Sequence, residues 1–167
     1  MRPGSRSALC VATWLRYTRR NIPAYRSRVE LNFSRLARPT LDEAVALGAK
    51  RDRLLWVREV ALRVDEQTLV FAHSVLPPRP RGPLCVWLAR LGKRSLGAQL
   101  FAHPGFTRGA ITCKQLDARH ALFQLAIEAM QLTDAPPATL WARRSRFSFG
   151  AQSVLVTEVF SPALVDD

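Results

Sequence analysis

The sequence predicts an α+β fold built on one antiparallel β-sheet of about six strands. Several short segments alternate apolar and polar side chains, which is the period of a strand that packs one face on a core. Most of these segments follow one another through turns, as in antiparallel hairpins. Helical patterns interrupt them at irregular intervals, which argues against the regular alternation of a Rossmann-type fold.

The first two strands are predicted at Leu54–Asp65 and Gln67–Leu76, and the residues at 65 and 66 form the turn between them. Pro77 and Pro78 end the second strand, because proline cannot donate to the ladder. Further strands are predicted at Phe106–Leu116, Leu140–Phe149 and Ser153–Phe160. The last two of these would pair as a hairpin around Gly150.

Helices are predicted where apolar residues recur at helical spacing. A short helix enters at Thr40, which would be the N-cap of a capping box with Glu43. The longer patterns are Pro83–Leu91, which ends at the glycine cap Gly92, then Ser95–Phe101 and Ala118–Leu132. The first two of these, joined by a tight turn, predict a helix-turn-helix hairpin.

The formal net charge of +12 is concentrated at the start of the chain, because residues 1–38 contain nine arginines and one acidic residue. Such a charge suggests nucleic acid, an anionic membrane or an anionic substrate as partner. We predict no nucleic-acid partner, since no recognised binding motif is present. No apolar run approaches the roughly 18 residues of a membrane helix, so we predict no integral membrane segment.

Residues 1–37 are interpreted as a basic leader and residues 38–167 as one globular domain. The leader is predicted to be helical around Leu9–Tyr17 and broken at Pro23. Its composition, rich in arginine and poor in acids, is also that of a mitochondrial transit peptide, which remains an alternative.

The cysteines are three in number and far apart, at positions 10, 85 and 113. No Cys-x-x-Cys pair occurs, and no histidine stands at a matching distance. We therefore predict a reducing compartment, with neither a structural zinc site nor a disulfide framework. This prediction favours a cytoplasmic protein.

Two charged residues, Arg58 and Glu158, alternate with apolar residues and so point toward the core. A buried charge is costly unless it is paired or used. The two side chains could form an ion pair with each other, or their strands could be edge strands with one face exposed to solvent. Alternatively, they line a pocket in which Arg58 clamps a carboxylate in a bidentate manner and Glu158 accepts a hydrogen bond from a hydroxyl.

Other candidates give weaker signals. Leu96 stands near a predicted helix start, where backbone N–H groups favour an anion. Arg143 shares a strand face with apolar residues and is predicted to face inward, whereas Arg144 and Arg146 are expected to be solvated. His73 is more typical of a structural histidine than of a catalyst. No Ser-His-Asp, P-loop or metal-binding motif is present.

Four regions of the sequence together resemble a known family. They are Leu55–Val60, Phe71–Pro77, Leu91–Phe101, and Leu140–Ser145 together with Leu155–Pro162. In their order and spacing over residues 38–163, these regions resemble the chorismate lyase family.

The resemblance implies one antiparallel sheet with helix-turn-helix flaps over a buried ligand cavity. It implies an enzyme that converts chorismate into 4-hydroxybenzoate and pyruvate without metal or organic cofactor, as a cytoplasmic monomer in ubiquinone biosynthesis. By position in the motifs, Arg58 would bind the ring carboxylate together with the backbone N–H of Leu96. Glu158 would meet the ring oxygen and assist proton transfer.

Two positions depart from the family pattern. His73 stands where the family often has an arginine that helps to hold the second carboxylate. Ile22, in Asn21-Ile22-Pro23, replaces the middle of a Ser-[Leu/Met]-Thr motif and could preserve an apolar wall. The alternative function is therefore a non-catalytic domain of the same fold that senses small aromatic acids.

Overall fold

A computed structural model of the chain describes residues 27–76, 86–87, 90–92, 96, 99–100 and 105–164. The strands are β1 (Ser27–Ala37), β2 (Leu55–Val64), β3 (Gln67–Leu76), β4 (Thr107–Leu116), β5 (Leu140–Phe149) and β6 (Gln152–Phe160). They form one six-stranded sheet in the order β1-β2-β3-β6-β5-β4. All neighbouring strands are antiparallel, which confirms the predicted fold class.

The ends of each predicted strand lie within one residue of the ends of the corresponding observed strand. The β2–β3 turn is at Asp65, which adopts a left-handed φ of 51°, and the β5–β6 turn is at Gly150, with a φ of 55°. Left-handed residues match the twist of the paired strands in tight hairpins. These two turns set the register of both hairpins.

Two helices are described in full, α1 (Leu41–Leu47) and α2 (Ala121–Ala129). The predicted capping box starts α1, because the Thr40 N–H donates to Glu43 Oε2 at 2.9 Å. The predicted helix Ala118–Leu132 is shorter than expected, since α2 begins only after its N-cap His120. A 3₁₀ turn, Pro162–Leu164, follows β6.

The predicted helix-turn-helix hairpin lies largely outside the described residues. Its described members at positions 86, 87, 96, 99 and 100 are helical. Gly92 has a φ of 54°, the left-handed conformation that a C-terminal glycine cap requires.

The second half of the predicted leader is a strand, which the sequence analysis did not predict. Strand β1 pairs with β2 from Ser27 opposite Val64 to Ala37 opposite Leu55. A bulge between Leu31 and Phe33 shifts the alternation of side chains, and this obscures the strand period in the sequence. The sheet therefore begins inside the basic segment. The predicted helix at Leu9–Tyr17 and the candidate Ile22 lie outside the described residues.

The sheet has two faces with different contents. Because paired residues share a face, Arg58, Ser74 and Glu158 project from one side, which we call the Arg58 face. Glu59 and His73 are each one residue away in sequence and project from the other side, the His73 face. This division decides which of the predicted residues can meet.

Both faces are covered. Helix α2 packs on the His73 face through Leu122, Phe123, Ala126 and Ile127, and α1 contributes Leu47. On the Arg58 face, leucines from the flap region pack on residues of the sheet. This cluster comprises Leu76, Leu91, Leu96, Leu100, Phe147, Val154 and Val156. The Arg58 face is therefore enclosed by residues of the predicted flaps.

Cys113 on β4 is disulfide-bonded, and its partner lies outside the described residues. This differs from the expectation of a chain without disulfides. No helix within the described part of the chain is long and apolar enough to cross a membrane.

The packing of α2 predicts a clear difference between two truncations. Ile127→Ala removes a side chain that is 2% exposed, and we expect a loss of about 2–5 kcal/mol in the free energy of unfolding. Val45→Ala, on α1, is the matched control, because Val45 is 73% exposed and should change stability by about 0.5 kcal/mol at most. Urea unfolding of both variants measures the difference; equal effects would contradict the assigned core.

Candidate functional site

Arg58 is buried in the interior of the sheet. Its side chain is 2% exposed, and Nη2 donates to the carbonyl oxygen of Gly92 at 2.9 Å. Burial lowers the pKa of the Arg58 guanidinium, although an arginine stays charged at neutral pH. The edge-strand explanation is wrong for Arg58, because β2 lies between β1 and β3.

Glu158 is also on an interior strand, since β6 lies between β3 and β5. It accepts a hydrogen bond of 2.5 Å from Nε of Arg143 on β5. Arg143 is 5% exposed, which confirms its predicted inward orientation, and its guanidinium carbon lies 5.8 Å from the centroid of the Phe160 ring. The ion pair with Glu158 was not predicted, because alternation identifies a face but not a partner.

Arg58 and Glu158 share a face, with β3 between their strands. Arg58 is opposite Ser74, and Glu158 is opposite Ala72, so their strands are separated by about 10 Å across the sheet. Ala72 and Ser74 are small, and they form the floor between the two charged side chains. A guanidinium and a carboxylate thus stand at opposite ends of a stretch of sheet with little side-chain bulk.

A further arginine, Arg108 on β4, approaches the same face. Its Nε donates to Ser145 Oγ at 3.1 Å, and its guanidinium carbon lies 5.4 Å from the centroid of the Phe147 ring. Burial lowers the pKa of Arg108, as does the positive charge of Arg143, while Glu158 opposes them. Arg108 was missed in the sequence because a bulge at residues 108–111 interrupts the alternation along β4.

Leu96 lies on the Arg58 side of the sheet. Its side chain is 4% exposed and packs in the leucine cluster that covers this face. Gly92, whose carbonyl receives the Arg58 hydrogen bond, belongs to the same region of the chain. The structure therefore brings together Arg58, Leu96 and Glu158 on one face.

His73 does not join them, because it projects from the opposite face. There it lies between two carboxylates, with Nδ1 3.0 Å from Glu59 Oε1 and Nε2 3.2 Å from Glu43 Oε1. The side chain of Glu43 is almost fully buried. The role suggested by the resemblance, a contact with the second carboxylate, does not suit this placement, whereas the structural interpretation does.

The two carboxylates keep His73 protonated. Burial alone would lower the pKa of the imidazole, but the interactions with Glu43 and then Glu59 outweigh it and raise the pKa to about 9. For Glu43, burial opposes ionisation, yet His73 and the Thr40 N–H hold the pKa of the carboxyl below its usual value. The result is a buried charged cluster that ties α1 to β2 and β3.

Arg144 also belongs to the His73 face. Its Nη2 donates to Asp42 Oδ2 at 2.8 Å and its Nε donates to Thr157 Oγ1 at 3.0 Å, so the expectation that Arg144 is solvated is wrong. Burial opposes ionisation of Asp42, but the hydrogen bond from the Thr40 hydroxyl and then Arg144 hold the pKa of Asp42 well below its usual value. Arg146 is exposed, as predicted.

A cleft of about 250 Å³ opens beside the Arg144–Asp42 pair. Its lining includes Thr112, Lys114 and His120, but neither Arg58 nor Glu158. Most of the lining belongs to the His73 face, but Cys113 and Arg143 of the Arg58 face also contribute to it, so the cleft adjoins the candidate site. No group of three or more His, Cys, Asp or Glu side chains within the described part of the chain could hold a metal ion.

The His73 cluster predicts pH-dependent stability. The pKa of His73 is higher in the folded chain, about 9 against 6.5, so its contribution is complete below pH 6.5 and is lost as the pH rises through 9. We expect His73→Gln to lower the free energy of unfolding by about 3 kcal/mol at pH 6. The difference from wild type should shrink at pH 10.

Urea unfolding at both pH values measures this difference. Adding Glu43→Gln to the variant should recover part of the loss, because it removes the buried carboxylate that His73 no longer balances. A loss of equal size at both pH values would show that His73 contributes through packing rather than charge.

Comparison with known proteins identifies the family of this chain. A model of the chorismate lyase family matches residues 18–166. A "Probable chorismate pyruvate-lyase" of Dechloromonas aromatica is 48% identical over 123 residues, which cover 74% of this chain and 67% of that protein. Another of the same name, from Nitrosomonas eutropha, is 42% identical over 137 residues, covering 82% and 75% respectively.

The fold recurs in more distant proteins. The C-terminal domain of the histidine utilization repressor from Pseudomonas syringae has a TM-score of 0.61 at 11% identity, with 83% of this chain and 93% of that domain covered. At this identity the likeness concerns the fold alone. The family match begins at residue 18, whereas the resemblance in sequence had suggested residue 38. The match to the family model and the identities to the two relatives together show that the chain belongs to the chorismate lyase family.

Proposed function

We propose that this protein converts chorismate into 4-hydroxybenzoate and pyruvate on the Arg58 face of the sheet. The observation that carries the proposal is a buried guanidinium, Arg58, on the same face as a carboxylate, Glu158, with only small side chains between them. A para-substituted ring with an acid at one end and a hydroxyl at the other complements this pair. The relatives' names point to the same substrate.

Arg58 would bind the ring carboxylate. A planar guanidinium can donate two parallel hydrogen bonds to a carboxylate, and burial strengthens them because water does not compete. We place the backbone N–H of Leu96 on the same carboxylate, since Leu96 packs over this face. Ile22 would contribute an apolar wall, as the resemblance suggests.

Glu158 would accept a hydrogen bond from the ring hydroxyl. The Arg143 Nε that donates to Glu158 Oε2 orients this carboxylate and keeps it from turning away. In the reaction, the ring carbon that bears the hydroxyl loses a proton, and the C–O bond to the enolpyruvyl group breaks. The released enolpyruvate takes up a proton to become pyruvate, and we assign Glu158 to assist the proton transfer.

Positioning would supply most of the catalysis. Aromatisation of the ring provides the driving force, so the protein has to hold the substrate and place charge rather than form a covalent bond. Arg58 and Glu158 would therefore be the catalytic residues. We propose that no metal or organic cofactor takes part.

In the cell, the product would supply the aromatic ring of ubiquinone. We further propose that the protein acts as a monomer in the cytoplasm, with no nucleic-acid partner. These statements follow from the family resemblance, and size-exclusion chromatography with light scattering tests the oligomeric state.

A second candidate function is the sensing of small aromatic acids without turnover. It is favoured by the likeness to a repressor domain, which shows that the fold also occurs in transcriptional regulators. Incubation of the purified protein with chorismate separates the two, with 4-hydroxybenzoate and pyruvate measured by chromatography. Equimolar formation of both products supports the lyase; binding without turnover supports the sensor.

Replacement of Arg58 tests the carboxylate site. We expect Arg58→Ala to lower kcat/KM by a factor of roughly 30 or more, because loss of a buried charge-paired contact costs about 2–5 kcal/mol. Arg146→Ala is the matched control, since Arg146 is exposed and on the other face. Thermal unfolding of both variants shows whether they are folded. Near-normal kcat/KM in folded Arg58→Ala would remove Arg58 from the site.

Enclosure of the Arg58 face predicts inhibition by the product. Leu91, Leu96 and Leu100 cover the face, so 4-hydroxybenzoate must wait for this cover to open before it leaves. We expect progress curves to bend earlier when 4-hydroxybenzoate is added at the start. Initial rates at several product concentrations measure the effect, and rates independent of added product would contradict an enclosed site.

A further inference from the structure

The proposed substrate has two carboxylates, and the arrangement described so far binds one of them. Arg58 holds the ring carboxylate at one end. The second carboxylate is on the enolpyruvyl group, which is attached to the ring carbon next to the one that bears the hydroxyl. It must therefore lie toward the Glu158 end of the site. His73 cannot meet it there, because His73 projects from the other face and interacts with Glu43 and Glu59.

Two arginines of the Arg58 face stand on the far side of Glu158. Arg143, on the strand next to Glu158, uses its Nε to orient that carboxylate. Arg108 is one strand further, and its side chain extends to Ser145 on β5. Ser145 is two residues from Arg143 on β5 and projects from the same face, so the Arg108 side chain lies on the same side of the sheet as the Arg143–Glu158 pair.

The geometry of Arg108 suits a carboxylate. The bond from Nε to Ser145 Oγ, at 3.1 Å, and the Phe147 ring beneath the guanidinium fix the plane of the group. A guanidinium held in this way is a rigid planar fork of donors, and such a fork matches the two oxygens of a carboxylate. Arg108 is only partly buried, so a ligand can approach it.

The charges also match. Arg58, Arg108 and Arg143 are positive and Glu158 is negative, so these four side chains of the Arg58 face carry a formal charge of +2. A dicarboxylate substrate matches the formal charge of these four side chains, whereas the monocarboxylate 4-hydroxybenzoate supplies only one negative charge. Charge complementarity of this kind discriminates between related ligands.

We propose that Arg108 binds the enolpyruvyl carboxylate and so distinguishes the dicarboxylate substrate from the aromatic product. This inference rests on the proposed function. It makes Arg108 a specificity-determining residue that holds the leaving group, while Arg58 holds the part of the substrate that becomes 4-hydroxybenzoate. Replacement of Arg108 should therefore weaken the binding of chorismate alone, whereas replacement of Arg58 should weaken the binding of both chorismate and 4-hydroxybenzoate.

The test compares substrate and product in the same variants. For Arg108→Gln we expect the KM for chorismate to rise by roughly tenfold or more, because a charge-assisted contact is lost. The inhibition constant of 4-hydroxybenzoate should stay within about twofold of wild type, since that ligand lacks the second carboxylate. Arg108→Lys should retain part of the substrate affinity, because it keeps the charge but not the fork.

Arg146→Gln is the matched control, because it removes the same charge from an exposed position of the other face. It should leave both constants unchanged. An unchanged KM in Arg108→Gln would overturn the inference. A parallel loss of affinity for chorismate and 4-hydroxybenzoate would also overturn it, since this would indicate general damage to the site.

A direct binding measurement separates this inference from the proposed function. If wild-type protein gives no product, the lyase proposal fails, and calorimetric titration with chorismate and with 4-hydroxybenzoate then decides the role of Arg108. A loss of chorismate binding alone in Arg108→Gln would still support the inference. Wild-type protein that binds neither ligand, or a variant that binds both normally, would refute it.

Discussion

Burial of the Arg58 guanidinium in the middle of the sheet constrains the rest of the Arg58 face. A charge that is 2% exposed must find hydrogen-bond acceptors within the protein or its ligand. The carbonyl of Gly92 supplies one acceptor, and it does so from the region that covers the face, so the cover and the floor are connected through the arginine. The left-handed φ of Gly92 turns the chain at this point. Arg58, the residue proposed to bind the ring carboxylate, is thus also a contact that holds the cover of this face in place.

Alternation along the strands divides the charged residues into two groups with different roles. Glu59 directly follows Arg58 in the sequence, and His73 directly precedes Ser74. Both nevertheless project from the other face, where they form a separate buried cluster with Glu43 that fastens α1 to the sheet. In the His73 cluster two carboxylates surround one imidazolium, so its positive charge is paired within the protein and the cluster has a formal charge of −1. The Arg58 face has an excess of positive charge among its described residues. The first arrangement is that of a structural element, and the second suits the anionic substrate that we propose.

The strands and the inward-facing charged residues could be predicted from the sequence wherever the alternation of apolar and polar side chains was regular. Arg58 and Glu158 were identified because each interrupts an otherwise apolar face of a strand, and an interruption of that kind is visible without a structure. Strand β1 and Arg108 were missed for a common reason: in each case a bulge shifts the alternation, so that a fixed period of two assigns side chains to the wrong face. Partners were also unpredictable, since the Arg143–Glu158 and His73–Glu43 contacts join residues distant in the chain.

The outermost strands of the described sheet, β1 and β4, have a further consequence for the behaviour of the protein in solution. Such strands can add a strand from a second molecule and so begin aggregation, unless charged side chains or irregularities discourage it. Both strands contain a bulge, and β4 carries Arg108 and Lys114, while β1 carries Arg28 and Arg35. Leu36 and Ile111, which are more than 40% exposed, lie on the same two strands. The basic residues of these two strands therefore suit a second role, which is to discourage the addition of a strand from another molecule.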